Sequence, residues 1–472
     1  MRPGMYSATV ANSVGIELMA QRGTRRARRS PRFARANVRI GVGGYKSIRE
    51  EVIIDLRHLT LLAGANSSGK SSFIQALLLL KQTLEAQFDP GALLLNGPNV
   101  ALTSTTQLFS RGKSKDDVAK RFVVTIDISG QAVTIAFSKP RGQAIGVSSM
   151  RVANAGEDIT ISSSTTSREL EENLPSRLQD LLRSARESAV KDEVEVRVRR
   201  ERCFLVGEIS IQGARVTVPL VSMTNIRSTL LDAIHVPGLR GNPARVYPSS
   251  AVGRAFPGTF EKYVASLIHA WQVSTAPADK RRISNLNHAL QALGLTWKVE
   301  ARPLDETSVE LLVGRTLYAQ QGGAWDLVNI ADVGFGVSQT LPVLVALAAA
   351  RPGQIVYLEQ PEIHLHPRAQ TALGRILVEY ATRGIFVVAE THSSLIIKSV
   401  QTEIAKKTID PQRVALHWFS RSASGNTAVE TASLDEQGRF GDWPADFDEV
   451  TLQAEVEFLE AVEESLDDDE AP

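Results

Sequence analysis

The chain has 472 residues, enough for two or three domains or for one large domain with insertions. Its charged content of 22% is ordinary for a globular protein, and its net charge of +1 does not by itself point to a strongly charged partner. One cysteine, Cys203, excludes an internal disulfide framework and a zinc site built on cysteine pairs. No apolar run approaches the length of a membrane span. These features predict a protein of the reducing cytoplasm.

The first segment, residues 1–37, is basic and lacks a sustained apolar period. Seven arginines lie between residues 22 and 35. We predict a disordered arm here, since basic tails of this kind are common and unspecific. Contact with nucleic-acid phosphates is the alternative interpretation.

The most informative stretch covers residues 59–84, which read LTLLAGANSSGKSSFIQALLLLKQTL. Leu59 to Ala63 are apolar and predict a buried parallel strand, and the apolar spacing after Ser71 predicts a helix. The intervening loop matches the pattern G-x-x-x-x-G-K-[ST], which surrounds phosphate groups with backbone N–H groups. We predict that a nucleoside triphosphate binds Gly64, Ala65, Asn66, Ser67, Ser68, Gly69, Lys70, Ser71 and Ser72.

Two side chains of this loop have predicted chemical roles. Lys70 is expected to reach the β- and γ-phosphates, and the Ser71 hydroxyl is expected to ligate Mg²⁺. ATP and Mg²⁺ are therefore the predicted cofactors.

Alternating strand and helix patterns predict an α/β fold with a mainly parallel sheet. Two short runs from Val38 to Ile54 and the pair Phe122–Ile128 and Ala132–Phe137 predict hairpins, whereas Ile159 to Ser167 is predicted to be a loop. Helices are predicted from Leu341 and, as an acidic helix, over Glu449–Leu466. We divide the chain into an arm (1–37), a P-loop lobe (38–130), an inserted α+β region (131–232), a helical and β region (233–327), a third lobe (328–433) and a C-terminal segment (434–472).

Three predicted sites lie at strand ends, where open α/β sheets bind ligands. The P-loop is the first. Glu359 follows the apolar run Ile355–Leu358 and is expected to hold Mg²⁺ beside Ser71. His392 follows the next strand, and it either hydrogen-bonds the γ-phosphate or is structural. His364 and His366 lack the spacing of a zinc motif, so we do not predict zinc there.

Taken together, these motifs resemble the OLD-like (AAA-family) ABC-class bacterial ATPases, which are related to the RecF and SMC ATPase heads. The matching segments read GYKSI, GANSSGKSS, DVGFGVSQTLP, YLEQPEIHLHPRAQ and ETHSS, and the C-terminal LDEQGRFGDWPADFDE is similar as well. The resemblance covers residues 38–449, thinly between 131 and 232. It implies an ABC-class P-loop ATPase head, with an antiparallel β lobe beside the parallel sheet.

The resemblance also implies a mechanism in which two heads face each other across ATP. A signature loop from one head then contacts the γ-phosphate bound by the other, and here that loop would be Gly334, Gly336, Ser338 and Gln339. His392 would be the switch histidine, and Gly44 to Ser47 would lie near the adenine. The implied function is a nucleotide-dependent dimerising switch in antiphage defence or DNA maintenance, with a separate nuclease-like effector. The implied assembly is a homodimer or a higher homo-oligomer. Arg240, Arg245 and Arg254 are candidate DNA contacts.

Two departures from the family pattern matter. The usual second acid of the Walker B motif is Gln360 here, and an amide cannot accept a proton at neutral pH. Glu362 or another route then activates the attacking water, or else turnover is slow. We predict slow ATP hydrolysis. The Toprim nuclease domain of OLD proteins is not evident after His392. A self-sufficient nuclease and a transporter ATP-binding subunit are the alternatives.

Overall fold

The computed structural model describes residues 37–114, 116–154, 157–172, 179–180, 182–183, 194–211, 214–218, 223–318, 325–441 and 456. The predicted basic arm, apart from Asn37, and the predicted acidic helix Glu449–Leu466, apart from Val456, lie outside these residues. Within them, every helix is too short or too polar to cross a membrane.

The secondary structure of the described residues alternates between strands and helices. The strands are β1 Val38–Gly43, β2 Val52–Leu56, β3 Leu59–Gly64, β4 Arg121–Ile128, β5 Gln131–Ser138, β6 Gly146–Asn154, β7 Glu157–Ser162, β8 Val194–Glu201, β9 Phe204–Ile211, β10 Ala214–Val218, β11 Ile234–Val236, β12 Tyr247–Pro248, β13 Val299–Pro303, β14 Ser308–Gly314, β15 Leu327–Asn329, β16 Ile355–Glu359, β17 Phe386–Glu390, β18 Val414–Arg421 and β19 Thr427–Ala432. The helices are α1 Lys70–Glu85, α2 Ser167–Glu172, α3 Thr224–Asp232, α4 Val264–Val273, α5 Pro277–Ala292, α6 Phe335–Ala349, α7 Pro367–Thr382 and α8 Ser394–Ala405.

The central sheet has the strand order β11-β16-β17-β3-β18-β19. Its first five strands are parallel, and β19 pairs antiparallel with β18. Strand β3 is buried along its whole length, as its continuous apolar sequence predicts. The carboxyl ends of β3, β16 and β17 meet at one edge, so this edge collects the P-loop and the two strand-end glutamates.

A second six-stranded sheet, with the order β2-β1-β4-β5-β6-β7, forms the antiparallel lobe. The mixed fold with a parallel sheet and an antiparallel lobe is therefore confirmed.

The predicted domain boundary at residue 131 is wrong, because β4 and β5 form a hairpin across it. The predicted loop over Ile159–Ser167 is also wrong at its start. Ile159 and Ile161 alternate inward from β7, which pairs with β6, so burial rather than local composition decides the conformation.

The remaining strands form two smaller sheets. Strands β8, β9 and β10 make an antiparallel meander in the order β10-β9-β8, and β12 to β15 make a four-stranded antiparallel sheet. Arg202, between β8 and β9, donates to the carbonyl oxygens of Thr83 (2.8 Å) and Leu84 (2.6 Å) at the end of α1. The inserted meander is thus attached to the helix that follows the P-loop.

Helix α6 begins earlier than predicted. The sequence predicted a helix from Leu341, with the signature residues in a loop before it, whereas the helix begins at Phe335. The glycines at 334 and 336 suggested a longer turn, but Val337, Leu341 and Leu344 pack into the main core and favour helix from the first turn onward. Ser338 and Gln339 therefore lie on a helix rather than in a loop.

Candidate nucleotide site

The loop between β3 and α1 has the backbone that phosphate binding requires. Gly64 and Gly69 have φ values of +136° and +107°, and Ser67 has +60°. A Cβ at Gly64 would lie 2.0 Å from the carbonyl oxygen of Phe419. Gly64 therefore needs glycine for its dihedral and for the close approach of β18. Ala65, Asn66 and Ser67 are exposed, while Ser68 and Gly69 are buried against the fold.

The Lys70 ammonium lies at the mouth of this loop. Its Nζ donates to the carbonyl oxygens of Gly64 (2.9 Å) and Ala65 (2.8 Å). Burial lowers the pKa of Lys70, and the negative charges of Glu390 and Glu362 oppose that shift. Lys70 also begins α1, so a cation and the helix N-terminus face the same space, which suits a polyphosphate.

The carboxylate that contacts Ser71 differs from the predicted one. The Ser71 hydroxyl donates to Glu390 Oε1 over 2.8 Å, and the Tyr357 hydroxyl donates to Glu390 Oε2 over 2.9 Å. Burial raises the pKa of Glu390. Ser71 and Glu390 together offer two oxygen ligands, the type that Mg²⁺ prefers, so the residues fit this ion. When bound, Mg²⁺ would neutralise phosphate charge.

Glu359 points elsewhere, which corrects the prediction that it lies beside Ser71. His235 Nε2 lies 3.0 Å from Glu359 Oε1, and the Gly238 N–H donates to Glu359 Oε2 over 3.0 Å. Burial acts to raise the pKa of Glu359, but these hydrogen bonds outweigh it and the pKa lies below its ordinary value. Since β11 pairs with β16, it brings His235 beside this carboxylate, a contact that no local pattern indicated.

Gln360 and Glu362 follow β16 in a tight turn. Gln360 has a φ of +42°, and its N–H donates to the Glu390 carbonyl over 2.9 Å. Glu362 is 9% exposed, and its Oε1 accepts from the Thr391 hydroxyl and from the His392 N–H, both at 2.8 Å. Its Oε2 is buried and has no hydrogen-bond partner among the described residues. Burial raises the pKa of Glu362, as a general base at neutral pH requires.

His392 lies between Glu362 and the P-loop. Its main-chain N–H binds Glu362, and its ring hydrogen-bonds the backbone of Gly64. Burial and the charge of Lys70 lower the pKa of His392, which favours its neutral imidazole form. A neutral imidazole at this place can exchange hydrogen bonds with a terminal phosphate or with water. The structure thus brings Lys70, Ser71, Glu362 and His392 together.

The predicted signature residues divide into two groups. Gly334 is exposed and caps the N-terminus of α6, and Gly336 follows in the first turn. Ser338 and Gln339 are buried. The Ser338 hydroxyl donates to the Phe335 carbonyl over 3.1 Å, and Gln339 Nε2 donates to the Gly241 carbonyl over 2.8 Å. The accessible donors are therefore the N–H groups at the start of α6, not these two side chains.

Arg240 has a structural place that the sequence did not reveal. Its Nη1 donates to the Gln339 carbonyl (2.9 Å), and its Nη2 donates to the carbonyls of Glu359 (2.7 Å) and Gln360 (3.3 Å). As these contacts use the guanidinium inside the protein, the prediction that Arg240 contacts DNA is wrong. Arg245 instead forms an exposed ion pair with Asp332.

The segment Gly44–Ser47 lies against the far side of the P-loop. Thr427, at the start of β19, donates its N–H to the Ser47 carbonyl and its hydroxyl to the Ser68 carbonyl, both at 2.8 Å. Lys46 contacts Gln75 on α1. This placement agrees with an adenine-proximal role for the segment, which stays a prediction.

His364 and His366 are both exposed. His366 caps α7, accepting from the Arg368 N–H over 3.4 Å, and His364 packs near the Phe335 ring. No group of three or more His, Cys, Asp or Glu side chains suited to a metal ion occurs in the described part of the chain.

The sequence prediction missed Glu390 as a site residue, although ETHSS was recognised. The available signal was an acid that ends an apolar strand directly before Thr391 and His392. This is the same signal that identified Glu359. Strand-end position alone does not tell which of two adjacent acids faces Ser71.

The chain was compared with known families, curated proteins and solved structures. Residues 59–398 match the family described as "AAA domain, putative AbiEii toxin, Type IV TA system". A stretch of 115 residues is 30% identical to the vitamin B12 import ATP-binding protein BtuD of Citrobacter koseri, covering 24% of this chain and 37% of that relative.

Solved structures with a similar outline include an SMC head bound to the C-winged helix domain of ScpA. It has a TM-score of 0.44 and 12% identity, and the match covers 84% of this chain and 98% of that one. The SMC head domain from Thermotoga maritima has a TM-score of 0.38 and 11% identity, with 85% and 100% covered.

Proposed function

The chain belongs to the AAA-domain family that residues 59–398 match, and we propose that it is a Mg²⁺-dependent ATPase acting as a nucleotide-controlled dimerising switch. The observation that carries this proposal is the position of Lys70. Its ammonium is held by two carbonyls at the mouth of a loop whose glycine dihedrals turn N–H groups toward a phosphate.

Dimerisation is proposed from the exposed N-terminus of α6. The first N–H groups of a helix have no partner within the helix, and no side chain of the described residues caps α6. A terminal phosphate bound by a second copy could accept these hydrogen bonds and bind the positive end of the helix dipole. ATP would then join two copies, each contributing one P-loop and one α6.

Hydrolysis is proposed to be slow because Gln360 cannot act as a base. Glu362 is the replacement, since its Oε2 is buried beside His392 without a partner in the described part of the chain and its pKa is raised. We expect Glu362→Gln to lower kcat by about 100-fold, the usual contribution of a general base. Gln360→Glu should raise kcat. Fast turnover that Glu362→Gln leaves unchanged would contradict this assignment.

The biological setting follows from the resemblance and is an associational proposal. We propose that the switch serves antiphage defence or DNA maintenance by acting on a separately encoded, nuclease-like effector. The matched family's description refers to a toxin of a type IV toxin–antitoxin system, which supports a defence setting. Binding of DNA would be an additional property of the dimer.

The first experiment is light scattering after size exclusion, with and without ATP and Mg²⁺. Wild type should change from monomer to dimer with nucleotide, and Lys70→Ala should not, because the phosphate ligand is lost. Lys120→Ala is the matched control, since Lys120 is exposed. A molar mass that is the same with and without nucleotide would contradict the switch. Nucleotide-dependent dimerisation of Lys70→Ala equal to that of wild type would contradict the role of the P-loop.

A further inference from the structure

Two glutamates end the neighbouring strands β16 and β17 at the nucleotide edge. Glu359 and Glu390 are directly opposite each other in the parallel register. Only Glu390 faces the P-loop, where its Oε1 accepts the Ser71 hydroxyl over 2.8 Å. Both oxygens of Glu359 are instead occupied by His235 and by the Gly238 N–H. The two acids therefore have different surroundings although their positions in the sheet are equivalent.

We propose that Glu390, rather than Glu359, is the carboxylate that ligates Mg²⁺ beside Ser71 when nucleotide is bound. This inference rests on the proposed function, because it assigns a residue of the same ATP site. Glu359 then has a positioning role, holding His235 and the loop at Gly238 against the end of β16.

The spacing of the two oxygens supports this assignment. Mg²⁺ binds its ligands octahedrally at 2.0–2.1 Å, so adjacent ligand oxygens lie about 2.9 Å apart. Ser71 Oγ and Glu390 Oε1 are 2.8 Å apart before any ion binds. The ion therefore needs only a rotation of the Ser71 hydroxyl proton away from Glu390. A lone pair of Oγ then becomes available.

The Glu390 carboxylate is also held in place. The Tyr357 hydroxyl donates to its Oε2 over 2.9 Å, and Tyr357 is buried in β16, with its ring stacked on His235. A ligand fixed in this way loses little side-chain entropy when the ion binds, which favours affinity. Glu359 acts on this arrangement only indirectly, through Tyr357 and through His235, while the contact to Ser71 is made by Glu390 itself.

The charges around the site favour binding of a divalent cation. Two buried carboxylates, those of Glu390 and Glu362, face the single ammonium of Lys70. Glu362 Oε2 has no partner among the described residues. Mg²⁺ is usually bound by one or two carboxylates together with phosphate oxygens and water. Such a site needs no third protein acid.

The test measures how Mg²⁺ changes the affinity for a fluorescent ATP analogue. We compare wild type with Glu390→Gln and Glu359→Gln, and use Glu430→Gln as a control at an exposed position. Glu390→Gln should lose about tenfold or more of the Mg²⁺-dependent gain in affinity, taken as the ratio of its own affinities with and without Mg²⁺. Glu359→Gln should keep most of that gain. Electron paramagnetic resonance of Mn²⁺ with the analogue should show weaker Mn²⁺ binding only for Glu390→Gln.

The outcomes separate this inference from the proposed function. Wild type that binds no nucleotide would overturn both. Two other outcomes would overturn only the assignment of Glu390. In one, wild type and Glu390→Gln show an equally large Mg²⁺-dependent gain in affinity. In the other, only Glu359→Gln loses that gain. Thermal melting checks each variant, and Glu390→Asp, which keeps the charge but withdraws it by one methylene, serves if Glu390→Gln does not fold. Glu390→Asp should show a smaller Mg²⁺-dependent gain in affinity than wild type, and a gain as large as that of wild type would also overturn the assignment.

Discussion

The guanidinium of Arg240 donates to the main-chain carbonyl of Gln339 over 2.9 Å, and with its other nitrogen it reaches the carbonyl of Glu359 over 2.7 Å. Helix α6 and strand β16 are thereby joined through one side chain. Gln339 completes the link by donating to Gly241. Burial lowers the pKa of Arg240 to about 10, so it remains charged at neutral pH. The start of α6 and the end of β16 are expected to move as a unit.

The first prediction concerns this link. Arg240→Lys should lower kcat for ATP by about tenfold, equal to about 1.4 kcal/mol in the barrier, because one ammonium cannot span carbonyls on both elements. Affinity for nucleotide should change less than kcat, since the P-loop is untouched. Steady-state kinetics and fluorescent nucleotide binding measure the two quantities. Arg245→Lys, in an exposed ion pair, is the control, and equal losses in both variants would argue against the link.

The second prediction concerns Gly64. Gly64→Ala places a Cβ 2.0 Å from the Phe419 carbonyl oxygen, so β3 and β18 must separate or the loop must change. We expect a loss of about 3 kcal/mol or more, seen as a fall of roughly 6 °C or more in the thermal midpoint. Gly130→Ala is the control, because Gly130 also has a positive φ but has no atom within 4 Å of the added Cβ. Similar midpoints for the two variants would refute the steric argument.

The third prediction concerns pH. Burial raises the pKa of Glu362 in the folded protein, so the folded state binds its proton more tightly than the unfolded state. Its contribution to stability is then most favourable below its unfolded pKa, and it is lost as the pH rises through the raised folded pKa. Glu362→Gln removes this titration. Its thermal midpoint relative to wild type should therefore be higher at pH 8 than at pH 5.

The comparison between the two proteins isolates Glu362. The pKa of Glu390 is raised as well, but Glu390 is present in both proteins and its effect cancels in the difference. Arg240 has a pKa of about 10 and stays protonated at both pH values. Lys70 and His392, whose pKa values are both lowered, are likewise present in both proteins. A midpoint difference that does not depend on pH would show that Glu362 is ionised normally in the fold.

The fourth prediction concerns Arg202 at the end of α1. Arg202→Ala removes two hydrogen bonds to the carbonyls of Thr83 and Leu84 and a positive charge at the negative end of the helix dipole. We expect a loss of about 1–2 kcal/mol, or roughly 2–4 °C in the thermal midpoint. Arg168→Ala, in an exposed pair with Glu172, should change the midpoint by less than about 1 °C. Equal midpoints would show that the meander does not support α1.

The sequence by itself determined the P-loop and the elements around it. Its glycine spacing, the apolar run of β3 and the helical period after Ser71 are local, and the observed bounds of Leu59–Gly64 and Lys70–Glu85 agree with them. The strand-end rule placed Glu359 and His392 at the nucleotide edge for the same reason. Local patterns fix such features because a strand or helix depends mainly on residues within a few positions.

Only the tertiary structure decided which polar groups meet. Ser71 and Glu390 are separated by 319 residues, and Arg240 and Gln339 by 99, so no local pattern could pair them. The orientation of Glu359 depends on β11 placing His235 beside it, and the strand β7 depends on burial of Ile159 against the rest of its sheet. Hydrogen-bond partners and burial are properties of the packed chain, and they assign the roles that the motifs left open.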